Sequence, residues 1–380
     1  MYNRLLTKAL VSNFFKGKVI ILTGARQVGK TTLSFEILEH FKTHEQRSVL
    51  AINCDNPTDR DALNDKDLDF LVKVIGNADI VLIDEGQKVS TIGQTLKLLV
   101  DHYKDQKQFL VTGSSSFNLL TSTQEPLTGR KYEYTLFPLS AEEMNPETSP
   151  LLFAKELESW LIFGSYPEII ADPSFDGKQE RLKQLTTSYL YKDILEFQEV
   201  RNPAILNDLL KALALQVGAE VSYTELSSLL GISRITVERY IDLLEKNFII
   251  FRLHPFSSEK RRVISKMKKV YFCDLGIRNA IINNFNFLDT RDDVGALWEN
   301  FVIVERMKHQ SYRRISWGNY FWRTYDGSEV DFIEERDGQL LGYEFKWNPK
   351  KKGRAPSTWL TYPHASHRII TPENALDFIG

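Results

Sequence analysis

The chain has 380 residues, and its 48 lysines and arginines are balanced by 50 aspartates and glutamates, for a net charge of −2. That length predicts about two to three domains, and the balance excludes a polycation, so any nucleic-acid surface has to be local. Cys54 and Cys273 are far apart and match no metal spacing, which predicts two reduced thiols; with no apolar run near the ~18 uncharged residues of a membrane span, the expectation is a soluble cytoplasmic protein with no membrane partner.

Arg4, Lys8, Lys16 and Lys18 interrupt the N-terminal apolar stretch. Residues 19–22 are an unbroken apolar run, the pattern of a strand buried on both faces. Directly after it comes Gly24-Ala25-Arg26-Gln27-Val28-Gly29-Lys30-Thr31, which is G-x-x-x-x-G-K-[ST]. A loop of this form turns successive backbone N–H groups toward an anion, and the helix that follows adds the positive end of its dipole. The pattern predicts that Gly24 through Thr31, with Thr32, cradle a nucleotide's phosphates, that Lys30 reaches the β- and γ-phosphates, and that Thr31 ligates Mg²⁺.

A helix is predicted over 32–41 and strands over 49–53 and 80–83. The last of these ends in Asp84-Glu85. Acids at the C-terminal end of such a strand lie where ligands of open α/β sheets bind, so Asp84 is read as the Mg²⁺ carboxylate and Glu85 as the base that polarises a water. After a helix over 91–103, a fourth strand over 109–112 ends in Thr112-Gly113-Ser114-Ser115-Ser116, which places small hydroxyls beside the expected γ-phosphate; Ser114 or Ser115 is the candidate to sense it or orient water, with plain turn chemistry the alternative. Arg130, in Leu127-Thr128-Gly129-Arg130, is a candidate arginine finger.

From Ser140 the pattern turns helical, opening on the capping box Ser140-Ala141-Glu142-Glu143. A second capping pattern, Ser222-Tyr223-Thr224-Glu225, begins two apolar stripes joined at Gly231-Ile232-Ser233, and an apolar run over 248–253 follows. Together these predict a helix-turn-helix and the first strand of a wing, with Arg234 and Arg239 on the outer face of the second helix. Lys260, Arg261, Arg262, Lys266, Lys268 and Lys269 form a basic run that is either a solvated face or a phosphate contact.

The C-terminal third spells E…D…E-x-K through Glu299, Asp331, Glu344 and Lys346. If the strand containing Asp331 pairs with the strand containing Glu344 through an Asp337-Gly338 turn, the acids converge. Glu299, Asp331 and Glu344 are then candidate ligands of a divalent metal and Lys346 a candidate catalytic lysine for phosphodiester cleavage.

In order, the Gly24–Thr31 loop, Asp84-Glu85-x-Gln87, Leu-Thr-Gly-Arg130, Gly164-x-Tyr166-Pro167-Glu168, Tyr191-x-Asp193-Ile194, Lys269-Val-Tyr-Phe-x-Asp274-x-Gly276, Trp298-Glu299-Asn300-Phe301-Val302 and Glu329-Val-Asp331-Phe run along nearly the whole chain. The series resembles the prokaryotic AAA-superfamily P-loop ATPases that carry a C-terminal domain of unknown function similar to restriction-endonuclease-like PD-(D/E)xK folds. The resemblance implies an α/β chain: a three-layer P-loop ATPase core with a parallel sheet over 1–140, a helical lid over 141–203, a winged helix over 204–256 and a nuclease-like α/β domain over 257–380. ATP with Mg²⁺ is the implied cofactor, ATP and ADP the ligands. Gly86 replaces the apolar residue usual after the acidic pair, which predicts a looser loop after Glu85, and Val330 stands where the nuclease motif has proline.

Three readings stay open. One is an ATP-fuelled DNA-processing enzyme that cuts; another is an ATP-dependent DNA-binding switch with a silent nuclease-like domain. The third is a switch that binds a protein partner. A homo-oligomer built head to tail would let Arg130 serve a neighbour's nucleotide.

Overall fold

The computed structural model describes residues 2–113, 127–195, 202–257, 267–324, 326–351 and 353–380, with backbone alone over 188–195. Two compact units are present, Met1–Pro138 and Leu139–Gly380.

The first unit runs α1 (Leu6–Val11), β1 (Val19–Thr23), α2 (Lys30–His44), β2 (Val49–Asn53), α3 (Pro57–Leu63), α4 (Leu68–Ile75), β3 (Ile80–Asp84), α5 (Ile92–Tyr103), β4 (Gln108–Gly113) and β5 (Lys131–Thr135). Its five strands lie in the order β2-β3-β4-β1-β5, every neighbouring pair parallel. The uninterrupted apolar runs become the central strands because both faces are covered: β1 and β4 are buried throughout and β3 is buried up to Asp84. Strand periodicity divides their side chains between two layers. Val19, Ile21, Val81, Ile83, Phe109 and Val111 pack with Leu71, Leu96 and Leu99 from α4 and α5, while α2 contacts β3 and β4 and buries Leu33, Ile37 and Leu38.

The second unit begins with helices α6 (Ala141–Met144), α7 (Pro150–Phe163), α8 (Pro167–Ala171), α9 (Phe175–Leu195) and α10 (Pro203–Leu215). The Ser140 capping box forms in both directions: the Ser140 hydroxyl accepts from the Glu143 N–H, and the Glu143 carboxylate accepts from the Ser140 N–H. Next come β6 (Glu220–Val221), α11 (Tyr223–Leu230), α12 (Arg234–Lys246), β7 (Ile250–Pro255), β8 (Lys268–Phe272) and α13 (Leu275–Ile281). Of the second capping pattern only the Ser222 half is seen, its hydroxyl accepting from the Glu225 N–H at 3.3 Å. The chain ends with α14 (Val294–Tyr312), β9 (Gly318–Arg323), β10 (Glu329–Arg336), β11 (Gln339–Phe345), β12 (Ala365–Ile370) and α15 (Leu376–Ile379).

The seven strands among the described residues of this unit form one mixed sheet, ordered β12-β11-β10-β9-β7-β8-β6. The β7–β8 ribbon after the helix-turn-helix pairs edge to edge with the C-terminal strands, through β7 beside β9. Regions expected as a lid, a winged helix and a nuclease-like domain thus fall within a single compact unit. The β10–β11 hairpin turns at Asp337 and Gly338, both with positive φ, as a two-residue turn that follows the right-handed twist of its strands requires.

The shared Gly164-x-Tyr166 and Asp274-x-Gly276 patterns are packing devices. The Asp274 carboxylate accepts from the Ile277 N–H at the start of α13 and from the Ser165 N–H. A Cβ on Gly164 would lie 2.1 Å from Asp274 Oδ1, and one on Gly276 would lie 2.1 Å from the Phe163 carbonyl oxygen. Among the described residues no helix is long and apolar enough to cross a membrane.

Candidate functional site

The strand order brings the C-terminal ends of β1, β3 and β4 side by side, and each delivers one part of a phosphate site. From β1 the chain enters the Gly24–Gly29 loop, with Gly24 at φ 151°, Gln27 at 59° and Gly29 at 98°. Gly24 has no substitute: a Cβ there would be 2.2 Å from the Leu136 carbonyl oxygen. Ala25 and Val28 are buried beneath the loop, whereas Arg26 is half-buried and Gln27, Thr31 and Thr32 are exposed. Lys30, the first residue of α2, donates from Nζ to the Gly24 and Ala25 carbonyls at 3.0 and 2.8 Å.

From β3, Asp84 meets Thr31: the threonine hydroxyl donates to Oδ1 and Oδ2 at 3.2 and 3.1 Å. Strand β4 adds Thr112, the first of the small hydroxyls expected beside the γ-phosphate. Its hydroxyl donates to Asp84 Oδ1 and accepts from the Glu85 N–H at 3.2 Å. Glu85 sits in the left-handed region at φ 55° and its carboxylate accepts from the Gln87 amide. The looser loop expected at Gly86 is not found. Gly86 is buried, and a Cβ would lie 2.6 Å from Val111 Cγ1, so here a small residue tightens the turn.

Arg4, in the sequence only a cation that interrupts the N-terminal apolar stretch, also reaches the loop. Its buried guanidinium donates to the Val28 carbonyl in the phosphate loop at 2.9 Å and to the Phe137 carbonyl at 2.6 Å. Arg130 lies at the other end of the sheet from the loop, where its carbonyl accepts from the N–H of Val19 at the start of β1 and its guanidinium pairs with Asp101 at 2.5 Å. Ser114 lies outside the described residues.

In the second unit Glu299, Asp331, Glu344 and Lys346 do come together, on α14, β10 and the end of β11. The β10–β9 register shifts between Val330 and Ile333, and such a bulge re-aims a side chain. Asp331 Oδ2 accepts from the Phe345 N–H at 2.8 Å. Each of the other carboxylates faces a lysine. Lys346 pairs with Glu344 at 2.7 Å, and His367 brings Nε2, which has no hydrogen-bond partner among the described residues, to 3.6 Å of the same carboxylate.

Lys269, one residue of the basic run, is neither solvated nor open to a phosphate. It is 3% exposed, with Nζ 3.1 Å from Glu299 Oε1 and 2.5 Å from Glu329 Oε1. Residues 258–266 of that run lie outside the described residues. Tyr271 donates to the same Glu299 oxygen at 2.6 Å.

Burial and the neighbouring Glu299 charge push the Asp331 carboxyl up to about 7, against the opposing pull of Lys269 and the Phe345 N–H. Burial alone would depress the Lys269 ammonium, but Glu299, Asp331 and Glu329 outweigh it and hold the group above the usual lysine value. Among the described residues no three His, Cys, Asp or Glu side chains converge as a metal's ligand set.

On α12, Arg234 and Arg239 are both exposed. So are Leu229 and Ile235, at 69% and 79%, on either side of the turn between the two helices.

Residues 16–145 match the family model described as an AAA domain. Residues 154–287 and 294–372 match models of two domains of unknown function, DUF8612 and DUF4143. With the parallel sheet and the loop geometry, the first match defines the class: the N-terminal unit is an AAA-type P-loop ATPase domain. An uncharacterized protein of Mycobacterium tuberculosis is 27% identical over 334 residues, which span 87% of this chain and 70% of that protein. Another from Methanocaldococcus jannaschii is 26% identical over 361 residues, spanning 89% and 77%. Among solved structures, the replication initiator DnaA bound to AMPPCP and single-stranded DNA aligns over 64% of this chain and 88% of its own, at 16% identity and a TM-score of 0.34. Cdc6p from Pyrobaculum aerophilum aligns over 73% and 91%, at 13% identity and a TM-score of 0.30. Likenesses at this level carry no functional argument.

Proposed function

We propose that this chain is an ATP-hydrolysing, Mg²⁺-dependent switch that works on DNA in the cytoplasm, with a C-terminal region that is nuclease-like in fold and silent in chemistry. The observation that carries the ATPase reading is the meeting of the Thr31 hydroxyl and the Asp84 carboxylate, 3.1 Å apart at their nearer oxygen, beside Lys30. A hydroxyl and a carboxylate oxygen suit Mg²⁺, which when bound with ATP would neutralise charge on the β- and γ-phosphates. Lys30 would exchange its two backbone carbonyls for phosphate oxygens. Glu85, fixed through its backbone by Thr112 and through its carboxylate by Gln87, would take the proton of the water that attacks the γ-phosphorus. Arg130 is too far along the sheet to serve its own loop, which favours a role at a neighbouring chain's nucleotide.

The DNA reading takes α11, α12 and β7 as a winged helix over 204–256, between a helical lid over 141–203 and a nuclease-like region over 257–380 that includes β8, the strand paired with β7. Arg234 and Arg239 are the exposed cations that would meet phosphates or base edges. Fluorescence anisotropy with duplex DNA tests this. The Arg234→Ala, Arg239→Ala double variant should bind more weakly and lower the salt slope by about 0.9 for each phosphate that is no longer neutralised. A second reading, a protein partner docked on the same turn, is favoured by exposed Leu229 and Ile235. Undetectable or salt-independent DNA binding by the wild type selects it.

A further inference from the structure

We propose that the Lys269 ammonium group is a built-in cation that stands in for a divalent metal among Glu299, Glu329 and Asp331 and keeps that cluster closed to metal ions. The inference rests on the reading of this region as catalytically silent. It begins with charge. Four carboxylates, Glu299, Glu329, Asp331 and Glu344, are gathered by α14, β10 and β11, and like charges at such separations repel unless a cation lies among them. Lys269 is that cation, reaching Glu299 and Glu329 together.

The lysine cannot leave. It is the second residue of β8, which lies between β6 and β7 with Lys269 registered against Glu220 and Leu253. Its side chain is 4% exposed, against 33% for Lys346. Lys346 can swing to solvent, whereas Lys269 is held among the acids and over the Phe321 ring.

One oxygen of each carboxylate is also engaged. Glu299 Oε1 accepts from Lys269 and from Tyr271, Asp331 Oδ2 accepts from the Phe345 N–H, and Glu344 Oε1 faces Lys346. A divalent cation such as Mg²⁺ needs about six oxygen donors in near-octahedral array. The residues present do not fit one, because a metal would have to displace a buried ammonium group that has nowhere else to go.

Removing that cation should open the site. Lys269→Met keeps most of the length of the side chain and deletes the charge, leaving the carboxylates to be neutralised from outside. The test is calorimetric titration of MnCl₂ into nucleotide-free full-length chains, with thermal unfolding in parallel. Wild type should show no Mn²⁺ binding that Asp331→Asn removes, and no Mn²⁺-dependent rise in Tm. Lys269→Met should melt lower than wild type, bind one Mn²⁺ and recover Tm as it does so, since a ligand of the folded state stabilises it. Lys269→Met with Asp331→Asn should lose both effects.

Asp331-dependent Mn²⁺ binding by the wild type would overturn the proposal, as would a folded Lys269→Met chain that takes up no Mn²⁺. If Lys269→Met does not fold alone, refolding it with Mn²⁺ decides: recovery of soluble folded chain supports the proposal, and failure to recover overturns it. Wild-type DNA cleavage with Mn²⁺, lost in Asp331→Ala, would refute the silent reading itself. Wild type inert toward Mn²⁺ beside a folded and equally inert Lys269→Met would refute only the role given to Lys269.

Discussion

Arg4 shows how one side chain far from the motif sets the shape of the phosphate loop. A guanidinium presents its donors in a rigid fork, and here two arms of the fork span the Val28 carbonyl in the loop and the Phe137 carbonyl. Arg4→Ala removes the donor to the buried Val28 carbonyl, and a buried group left unsatisfied costs about 1–3 kcal/mol. Urea unfolding should therefore show a fall in stability of that order, and equilibrium ATP binding should weaken, because the loop's N–H groups lose their fixed direction. Arg4→Lys should recover little of either, since an ammonium cannot hold the fork geometry. Wild-type stability and ATP affinity in Arg4→Ala would show that the contact is incidental. Nothing in the sequence marked Arg4, which read as one more cation in a terminal stretch; its partners lie 24 and 133 positions away. Lys269 reads in the sequence as one more charge of a basic run for the related reason that its neighbours are basic, while its charge partners belong to α14 and β10.

At the scale of elements, the legible parts were those whose pattern does not depend on distant chain. The strand at β2 has the bounds read for it, and β1, β3 and β4 extend the expected runs by one or two residues, because an unbroken apolar run has few alternatives to a sheet covered on both faces. The edge strand β5 was missed. It reads Lys-Tyr-Glu-Tyr-Thr and buries only Tyr134 fully, so its strand character comes from pairing with β1. Helices α3 and α4 were passed over although Asn56 and Asp67 cap them. In the candidate site, the loop, Asp84 and Glu85 stand out by spacing and Thr112 as one of the hydroxyls that end β4, whereas its bond to Asp84 follows only from β4 lying beside β3. The junction of β1 with the loop supplies the prediction at this scale. Gly24→Ala would bring a Cβ 2.2 Å from the Leu136 carbonyl oxygen, so the loop must move. ATP binding should be lost while circular dichroism stays near wild type; unchanged binding would mean that the loop tolerates another path.

For the whole molecule, the question raised by the structure is whether one chain holds a complete ATPase site. Arg130 lies beside the first residue of β1 and the loop begins after the last, a separation of roughly 13 Å at ~3.3 Å per residue. Turnover per chain should accordingly rise with protein concentration, and mixing Arg130→Ala chains with Lys30→Ala chains should restore part of the lost hydrolysis, since a mixed interface can pair an intact loop with an intact arginine. Concentration-independent turnover without rescue would leave Arg130 with its surface partner Asp101 and no part in catalysis.

ATP binding and steady-state hydrolysis with Mg²⁺, measured on the same preparations of wild type, Lys30→Ala and Glu85→Gln, decide whether the Lys30, Thr31, Asp84 and Glu85 constellation binds and hydrolyses ATP. Hydrolysis by the wild type, weak or absent binding by Lys30→Ala, and near-normal binding with turnover lowered by about 10²–10⁴-fold in Glu85→Gln are the expected results. Equal turnover in all three chains would contradict the account.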